Sequence, residues 1–320
     1  MTLKHFLRHQ AHLQLLIASE SGEEPTLVGG QAVIEGVMMR APHSYAITVR
    51  KSTGELVTDQ QPIPRMSEKY PIFKYPVLRG LGTLGQAMQL GFKALNFSTN
   101  VMMEEIDPDR KDKPMPTWQV AMNIVLPVAF FLFMYKFLPL FIAEKMATSR
   151  LGINLWDGVI RLCIFLGFMI GISRIKDFHR MFEYHGAEHK VVFNFESGKP
   201  VNIRNSQSFV TFHPRCGTSF LMVLMILSIL VYAFLPIDGF VPKLIARIVG
   251  LPFVIGISYE LIRYAAKHPG ALLSILTAPG LWLQRITTQP PDDSEVEVAI
   301  DALNHAMELE AKQGGELVIA

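Results

Sequence analysis

Charge is sparse in this chain of 320 residues, of which only 18% are Asp, Glu, Lys or Arg, whereas an average globular protein carries about a quarter. The net charge of +2 is small and no block of Lys and Arg occurs, which argues against a nucleic-acid partner. Cysteine is also rare. Cys163 and Cys216 are the only two, so a disulfide framework is excluded and any role for Cys216 is expected to be that of a thiol. Residues 1–26 lack the apolar core of a secretory signal, and we interpret them as an N-terminal extension.

Long apolar runs, by contrast, are abundant. Half of the residues are hydrophobic, and four runs approach the length of about 20 residues that a helix needs to cross a bilayer. They cover residues 123–142, 155–175, 217–235 and 244–262. The stretch 174–215, which joins the second run to the third, contains seven Lys and Arg residues, more than either of the other connections. Because these residues accumulate on the cytoplasmic side of membranes, we expect this stretch and both termini in the cytoplasm.

The pattern divides the chain into six parts. They are an N-terminal extension (1–26), a cytoplasmic β-rich segment with an interfacial helix (27–117), the first two transmembrane helices (118–175), a cytoplasmic His/Glu-containing loop (176–215), the last two transmembrane helices (216–263) and a cytoplasmic helical tail (264–320). The expected fold class is membrane α-helical, with about four transmembrane helices, an additional interfacial or re-entrant helix and a small cytoplasmic β-rich portion, α+β overall.

Short-range patterns predict individual elements outside the apolar runs. Strands are expected in 27–63, where an apolar run precedes two alternating segments around a Ser-Thr-Gly turn. Alternation also predicts a hairpin in 190–212. The glycine-spaced stretch 79–97 is only moderately apolar, and we interpret it as a helix that lies on the bilayer or partly enters it. An apolar stripe predicts a helix over 290–310, with Ser294 as its cap.

A His/Glu motif follows the second run. Phe182, His185 and His189 fall on one face of a continuing helix, and Glu188 stands between the histidines in the string HGAEH. Imidazoles at i and i+4 bind one metal ion, and a neighbouring carboxylate acts on bound water; H-x-x-E-H is the inverted zinc-peptidase pattern. The alternative is a pair of interfacial histidines without metal, and Gly186 lowers helix stability by about 1 kcal/mol relative to Ala.

The string HPRCG at 213–217 immediately precedes the third run. Cys216 is then near a helix N-terminus and beside Arg215, and both effects favour thiolate over thiol. The expected topology puts His213 and Cys216 at the same membrane surface as the two histidines above. Four such ligands would make a closed structural zinc site, and three with an open position a catalytic one. A buried thiol and a helix-capping histidine are the alternative.

Three carboxylates in apolar surroundings need an explanation. Glu35 lies inside the run VIEGVMM, where a carboxylate has to be paired or functional, and it joins Glu188 as a candidate general base. Glu260 lies within the fourth run and is either functional or paired with Arg263. Asp157 is spaced for a structural i,i+4 ion pair with Arg161.

Three blocks of this sequence resemble the YqhQ-like family, an uncharacterised family of bacterial membrane proteins. The blocks are GGQAVIEGVMMR at 29–40, EYHGAEHK at 183–190 and HPRCGTSF at 213–220. The tail is similar too, through Pro279, Gln284, Thr287 and Pro291, and the resemblance covers about residues 27–303. It implies a protein of the bacterial inner membrane and a predicted metal-dependent enzyme, but it supplies no substrate or reaction.

These observations favour a metal-dependent enzyme, hydrolase-like, with its site at the cytoplasmic membrane interface. A divalent ion, zinc by the chemistry of its ligands, would be held by His185, His189, His213 and Cys216, with Glu188 and Glu35 as catalytic acids or bases. The alternative is a non-enzymatic scaffold or assembly factor, bound to a membrane or cytoplasmic protein, in which the His/Cys cluster is structural. A transporter ranks third, because no matching pair of broken helices indicates an internal repeat.

Overall fold

The computed structural model describes residues 28–107, 117–267 and 271–312; the predicted N-terminal extension lies outside them. Its strands form one antiparallel sheet in the order β1-β2-β3-β4. The strands are β1 (Gly29–Val33), β2 (Gly36–Arg40), β3 (Ser44–Arg50) and β4 (Leu56–Pro62). Val33 pairs with Gly36, so the first apolar run is a hairpin with the two-residue turn Ile34-Glu35. The strands predicted around the Ser-Thr-Gly turn are β3 and β4.

Most of the described chain is helical. The helices are α1 (Met66–Lys69), a 3-10 turn (Pro71–Lys74), α2 (Leu78–Ile106), α3 (Thr117–Leu132), a π-helical turn (Phe133–Phe137), α4 (Leu138–Met146), α5 (Arg150–Ile172), α6 (Lys176–Glu196), α7 (Ile203–Gln207), α8 (Gly217–Ala233), α9 (Phe240–Val249), α10 (Leu251–Lys267), α11 (Ala271–Thr287) and α12 (Asp293–Lys312).

Both faces of the sheet are covered by helices. On one face, alternate strand residues such as Val37 and Met39 form a core with α6 and α12. On the other face, Met38 and its neighbours pack against α2 through Leu90 and Ala94. A strand buried on both faces is apolar at every position, which explains the continuous run in β2. The predicted interfacial helix is thus part of a longer helix, α2, whose buried side lies on the sheet and on α10.

Apolar helices long enough to cross a membrane are present, which supports membrane association. Within the described residues, Val125–Met146 and Arg150–Ile172 each meet the length and hydropathy requirements, and Phe240–Val249 with Leu251–Tyr264 forms a third candidate bent by 47°. The run predicted to be the third span is a shorter apolar helix, Gly217–Ala233. The structure therefore has two or three candidate spans, and the predicted count of four is not established.

A buried charged cluster links three of these helices. Asp157 and Arg161 form the ion pair that their spacing predicts, and both are buried. Arg247 of α9 joins them, with Nη1 3.1 Å from Asp157 Oδ1 and Nη2 donating to Asn154 Oδ1 at 2.8 Å. Lys136 is also buried and interacts electrostatically with all three charges. Asp157 is thus the shared ion-pair partner of Arg161 and Arg247.

Two local predictions are wrong. The stretch 190–212 is not a hairpin, because α6 continues to Glu196 and α7 follows it. Consecutive residues of α6 such as Val191, Val192 and Phe193 are all buried; a helix buried on most sides loses its 3.6-residue pattern. The cap of α12 is also not Ser294: the Oδ1 atom of Asp292 accepts from the backbone N–H of Glu295 at 2.9 Å.

The predicted tail contains two helices with different neighbours. Helix α11 packs along α8, and its Leu283 shares a core with Phe165 and Met222. Helix α12 packs on the sheet, as the predicted stripe requires, with Val298 and Leu303 in the core. Helix α11 therefore packs with the apolar helices α5 and α8, and its C-terminal end contributes residues to the candidate site.

Candidate metal centre

His185 and His189 lie one turn apart on α6, with ring centroids separated by 4.4 Å. Each uses Nδ1 for a backbone carbonyl: His185 Nδ1 lies 2.7 Å from the oxygen of Thr287, and His189 Nδ1 lies 2.5 Å from that of Thr211. A carbonyl oxygen only accepts hydrogen bonds, so each Nδ1 carries the proton and donates it. In a neutral imidazole, Nε2 is then left with the lone pair that binds metals.

Cys216 completes the group of converging atoms. It is the N-cap residue of α8, and its Sγ lies 3.3 Å from His185 Nε2 and 3.2 Å from Thr218 Oγ1. One ligand atom from each of His185, His189 and Cys216 lies within 4.8 Å of the other two. Zinc bond lengths of about 2.0–2.3 Å separate tetrahedral nitrogen and sulfur ligands by roughly 3.5 Å. The sulfur-to-nitrogen distance therefore fits a shared ion.

Gln284 of α11 forms hydrogen bonds with residues on both sides of Cys216. Its Oε1 accepts from the backbone N–H of His213 at 2.7 Å. Its Nε2 donates to the carbonyl of His213 at 2.8 Å and to Ser219 Oγ at 2.8 Å. The Gln284 side chain is fully buried, so these bonds are shielded from water and position the start of α8. No motif identified this residue as part of the site, because its partners are mainly backbone groups.

His213 stands next to the group without adding a ligand atom to it. Its Nδ1 accepts from the backbone N–H of Arg215 at 3.3 Å, so Nε2 carries the proton and lies 3.4 Å from Glu196 Oε2. Burial lowers the pKa of His213 to about 4, which keeps the ring neutral near pH 7. Among the described residues, the converging group has three members instead of the four predicted.

Glu188 lies beside the three ligand atoms. Its Oε2 is 3.5 Å from His189 Nε2, and its side chain accepts a hydrogen bond from the backbone N–H of Gly30. Burial raises the pKa of Glu188 and lowers that of His189. Two imidazole lone pairs, a sulfur and a carboxyl group therefore lie close together, with Glu188 and His189 buried and His185 half-buried. Imidazole nitrogen and thiolate sulfur are donors that a zinc ion can bind.

A cavity of about 130 Å³ adjoins these side chains. It is lined by His185, Glu188, His189, His213, Arg215 and Cys216, and by Val28, Gly29 and Gly30 of the sheet edge, together with Val192 and Gly217. A water molecule occupies about 30 Å³ in the liquid. The space is thus large enough for water or a small reacting group next to the candidate ligands.

Glu35 does not line this cavity. It occupies the β1–β2 turn with φ of 51°, a left-handed conformation that residues other than glycine seldom adopt. Its carboxylate pairs with both Nε and Nη2 of Arg180, and the hydroxyl of Tyr184 donates to it at 3.3 Å. The structure thus explains this carboxylate as an ion-pair partner and does not bring it to the candidate metal ligands.

Glu260 also has a structural partner, but it is not the predicted one. Its carboxylate pairs with Nε and Nη2 of Arg79 at the start of α2, and it accepts from the backbone N–H of Val77 at 3.2 Å. Arg79 and Glu260 therefore connect α2 to α10. The partner is wrong because proximity along one helix was the only relationship that the sequence revealed.

Comparison with known proteins supports the resemblance of the three blocks. Residues 75–309 match the family described as "Protein of unknown function (DUF1385)". The chain belongs to this family. It is 33% identical over 304 residues to the uncharacterized protein YqhQ of Bacillus subtilis (strain 168), an alignment that covers 90% of this chain and 94% of that protein. No solved structure matches the chain.

Proposed function

We propose that this chain is a metal-dependent membrane enzyme of the hydrolase class, acting at the cytoplasmic surface of the bacterial inner membrane. The observation that carries the proposal is the pair of bonds from Nδ1 of His185 and His189 to backbone carbonyls. Histidine ligands of metals usually donate their other N–H in this way, which fixes the ring and the tautomer. The ligand nitrogens of the two rings lie within 4.8 Å of each other and of Cys216 Sγ, and this donor set suits zinc.

In this proposal His185, His189 and Cys216 hold the ion and leave a fourth position open, as catalytic zinc sites do. A zinc ion bound there would lower the pKa of a water molecule and polarise a substrate carbonyl or phosphoryl group. Glu188 would hold the proton that the water gives up, because its carboxyl group lies 3.5 Å from His189 Nε2 and is screened from solvent. His213 and Gln284 would act as positioning residues for Cys216.

The proposed topology has four passes, with both termini in the cytoplasm. The passes are Val125–Met146, Arg150–Ile172, the shorter apolar helix Gly217–Ala233 and the bent pair α9–α10. A helix of 17 residues is about 25 Å long, slightly less than a bilayer core of about 30 Å. The Lys and Arg residues of 174–215 and the site itself then lie on the cytoplasmic side.

A second candidate is a non-enzymatic assembly factor that binds a membrane or cytoplasmic protein. It is favoured by the way His185 touches both the Thr287 carbonyl at the end of α11 and Cys216 at the start of α8. An ion at this junction would fasten three helices, as structural zinc does. Affinity capture in mild detergent tests this candidate, and a chain that always purifies alone would argue against it.

Metal analysis of the purified full chain tests the first candidate. Wild type is expected to contain close to one equivalent of zinc, and a His185→Ala/His189→Ala variant close to none. The matched control is His179→Ala/His305→Ala, because these two histidines are 48% and 37% exposed and lie outside the cluster. Zinc absent from wild type, or equal in wild type and the His185/His189 variant, would contradict the proposal.

A Glu188→Gln variant separates the two candidates. Glutamine keeps the size of the side chain but cannot take up a proton from water, so zinc content should stay at the wild-type level while any hydrolytic turnover is lost. An assembly factor would keep its partner in this variant. Loss of zinc from Glu188→Gln would instead assign Glu188 to metal binding.

A further inference from the structure

A second and larger cavity, of about 600 Å³, lies next to the metal centre. Its walls are the edge of β1 and β2, the segment from α1 to the first half of α2, and the last turns of α10. Six cationic side chains line it, namely Arg40, Arg65, Lys74, Arg79, Arg215 and Arg263. None of the described residues that line it is Asp or Glu. A concave site with this charge pattern attracts anions.

Neighbouring carboxylates neutralise only part of this charge. Arg79 pairs with Glu260, and Arg215 pairs with Glu196. Arg65 lies 4.0 Å from Glu68. The other three lining cations have no carboxylate within 4.0 Å in the part of the chain that the structure describes; they are Arg40, Lys74 and Arg263. Arg263 still interacts electrostatically with Glu260, whereas the charges of Arg40 and Lys74 remain available to a ligand.

Arg40 shows how the cavity is prepared for an anion. Its Nη2 donates to Gln86 Oε1 at 2.5 Å, and Gln86 is itself buried and fixed by a bond from Nε2 to the Pro64 carbonyl at 2.7 Å. The guanidinium group is therefore held by a neutral partner. Burial lowers the pKa of Arg40, and the like charge of Arg65 lowers it further. An anion placed between these groups would relieve both effects.

The backbone of β1 separates this cavity from the metal centre. Val28, Gly29, Gly30 and Arg215 line both spaces. A Cβ atom at Gly30 would lie 2.5 Å from the Met38 carbonyl oxygen and 2.7 Å from Glu188 Cγ, so no side chain fits there. A Cβ atom at Gly29 would meet nothing within 4 Å. Because neither Gly29 nor Gly30 has a side chain, only the β1 backbone separates the larger cavity from Glu188 at this point.

An apolar surface adjoins the basic one. Phe73, Leu90 and Tyr259 lie among the lining residues, and Ile72 and Tyr75 beside them are 57% and 66% exposed. Aromatic and aliphatic side chains of this kind are common at membrane interfaces. A ligand that joins an anionic head to an apolar part would meet both surfaces.

We propose that this cavity binds a phosphate group, carried either by a phospholipid-type head group or by a soluble phosphate compound. Arginine clusters recognise phosphate through several charge-assisted hydrogen bonds. The bound group would lie beside the metal centre. The statement that the bound phosphate compound is a substrate rests on the proposed function. The statement that the cavity binds phosphate does not.

Isothermal titration of the full chain in neutral detergent tests the proposal with three probes. They are inorganic phosphate, dihexanoyl phosphatidate and dihexanoylglycerol, the last being the same lipid without phosphate. Wild type should bind at least one phosphate probe, and dihexanoylglycerol far more weakly. Tighter binding of phosphatidate would assign a lipid source, and equal or tighter binding of inorganic phosphate a soluble one.

Two sets of variants locate the binding. Arg40→Gln should weaken binding about tenfold or more, the effect expected for loss of one charge-assisted contact. Lys74→Gln/Arg263→Gln should weaken binding by a similar factor. This double variant leaves Arg40 in place, so it tests the cavity even if Arg40→Gln disturbs folding. The matched controls are Arg204→Gln and Arg204→Gln/Arg285→Gln, since both arginines are exposed and line neither cavity. They should stay within about twofold of wild type.

The proposal is overturned if wild type binds neither phosphate probe, if dihexanoylglycerol binds as well as phosphatidate, or if the control variants lose as much affinity as the cavity variants. The same titrations in His185→Ala/His189→Ala separate it from the proposed function. Phosphate binding that persists in a chain without zinc supports the cavity even where the metal centre fails. If the protein binds zinc but not phosphate, the proposed metal centre is supported and the proposed phosphate site is contradicted.

Discussion

Gly186 lies directly against the backbone carbonyl of Gln289, with no room between them for a side chain. The N–H of Gln289 donates to the carbonyl of Phe182 at 2.9 Å, so the chain leaving α11 crosses α6 within the HGAEH motif. This crossing brings the Thr287 carbonyl to His185. A glycine that weakens an isolated helix is therefore required here by packing.

Replacing Gly186 with Ala is expected to destabilise the protein. Higher helix propensity contributes about 1 kcal/mol in its favour, but the new Cβ displaces the Gln289 backbone, and overpacking of this kind costs about 1–3 kcal/mol or more. The zinc affinity should fall as well, because the displaced chain carries the Thr287 carbonyl. Thermal unfolding and metal content of the purified variant measure the two effects.

The matched control for that substitution is Gly85→Ala on α2, where a Cβ atom would meet nothing within 4 Å. This control should unfold at or slightly above the wild-type temperature. Equal behaviour of the two variants would mean that the Gly186–Gln289 contact does not limit the packing of α6.

Gln284→Ala is expected to uncouple α11 from the start of α8. The change removes the partners of the His213 N–H and carbonyl groups, and unsatisfied buried groups cost about 1–3 kcal/mol each. Because Cys216 lies between the two segments that Gln284 holds, zinc affinity should decrease with stability. The control is Gln60→Ala on the exposed end of β4, for which both quantities should match wild type. If Gln284→Ala has the zinc affinity of wild type, Gln284 does not position Cys216 for metal binding.

The parts of the fold that follow from hydrophobic pattern could be predicted from sequence. The strands around the Ser-Thr-Gly turn, the apolar helices and the stripe of α12 depend on residues that lie close together along the chain. The shared face of His185 and His189 is also a local property, and it placed both rings in one cluster.

The remaining features depend on contacts between distant segments. The same alternation fits a strand and a helix that is buried on most sides, so the C-terminal end of α6 was predicted as a hairpin. Arg180 as the partner of Glu35, and Arg79 as that of Glu260, are set by tertiary packing. The carbonyls of Thr211 and Thr287 cannot be recognised at all, because every residue has one.

Glu35→Gln is expected to leave the candidate metal centre intact. Glu35 pairs with Arg180, which is 43% exposed, and such partly exposed pairs contribute about 0.5–1 kcal/mol. A small decrease in the unfolding temperature should therefore occur without loss of zinc. Loss of zinc or of turnover from this variant alone would restore Glu35 to the candidate catalytic residues that the sequence suggested.

Asp157→Asn should be among the most damaging single substitutions. It removes the one carboxylate of a buried cluster that contains Arg161, Arg247 and Lys136, and breaking a buried ion pair costs about 3–5 kcal/mol. Yield of folded protein in membranes and unfolding temperature should both fall sharply. Asp238→Asn is the control, since Asp238 is 72% exposed and paired with Arg150. Comparable yields for the two variants would show that the cluster has another counter-charge.

Glu295 sits at the start of α12 in an environment that disfavours its ionised form. Its side chain is 2% exposed, and its Oε2 accepts from the backbone N–H of Asp292 at 3.0 Å. Burial, aided by the negative charges of Asp292 and Glu183, raises the pKa of Glu295 to about 7, although Arg180 Nη1 lies 3.7 Å from its Oε1 and opposes the shift. In the unfolded chain this carboxyl group titrates near its ordinary value, about 4.3.

Between those two values the folded state binds more protons than the unfolded state, so this group lowers stability as pH rises. Glu295→Gln removes the titration while its amide oxygen still accepts from Asp292, as capping boxes allow. The variant should therefore match wild type near pH 5 and exceed it by about 1–3 kcal/mol at pH 8. Unfolding temperatures from pH 5 to pH 8 check this, with Glu308→Gln, 58% exposed at the other end of α12, as control. If the stability difference between the variant and wild type is constant from pH 5 to pH 8, the side chain of Glu295 does not titrate in this range.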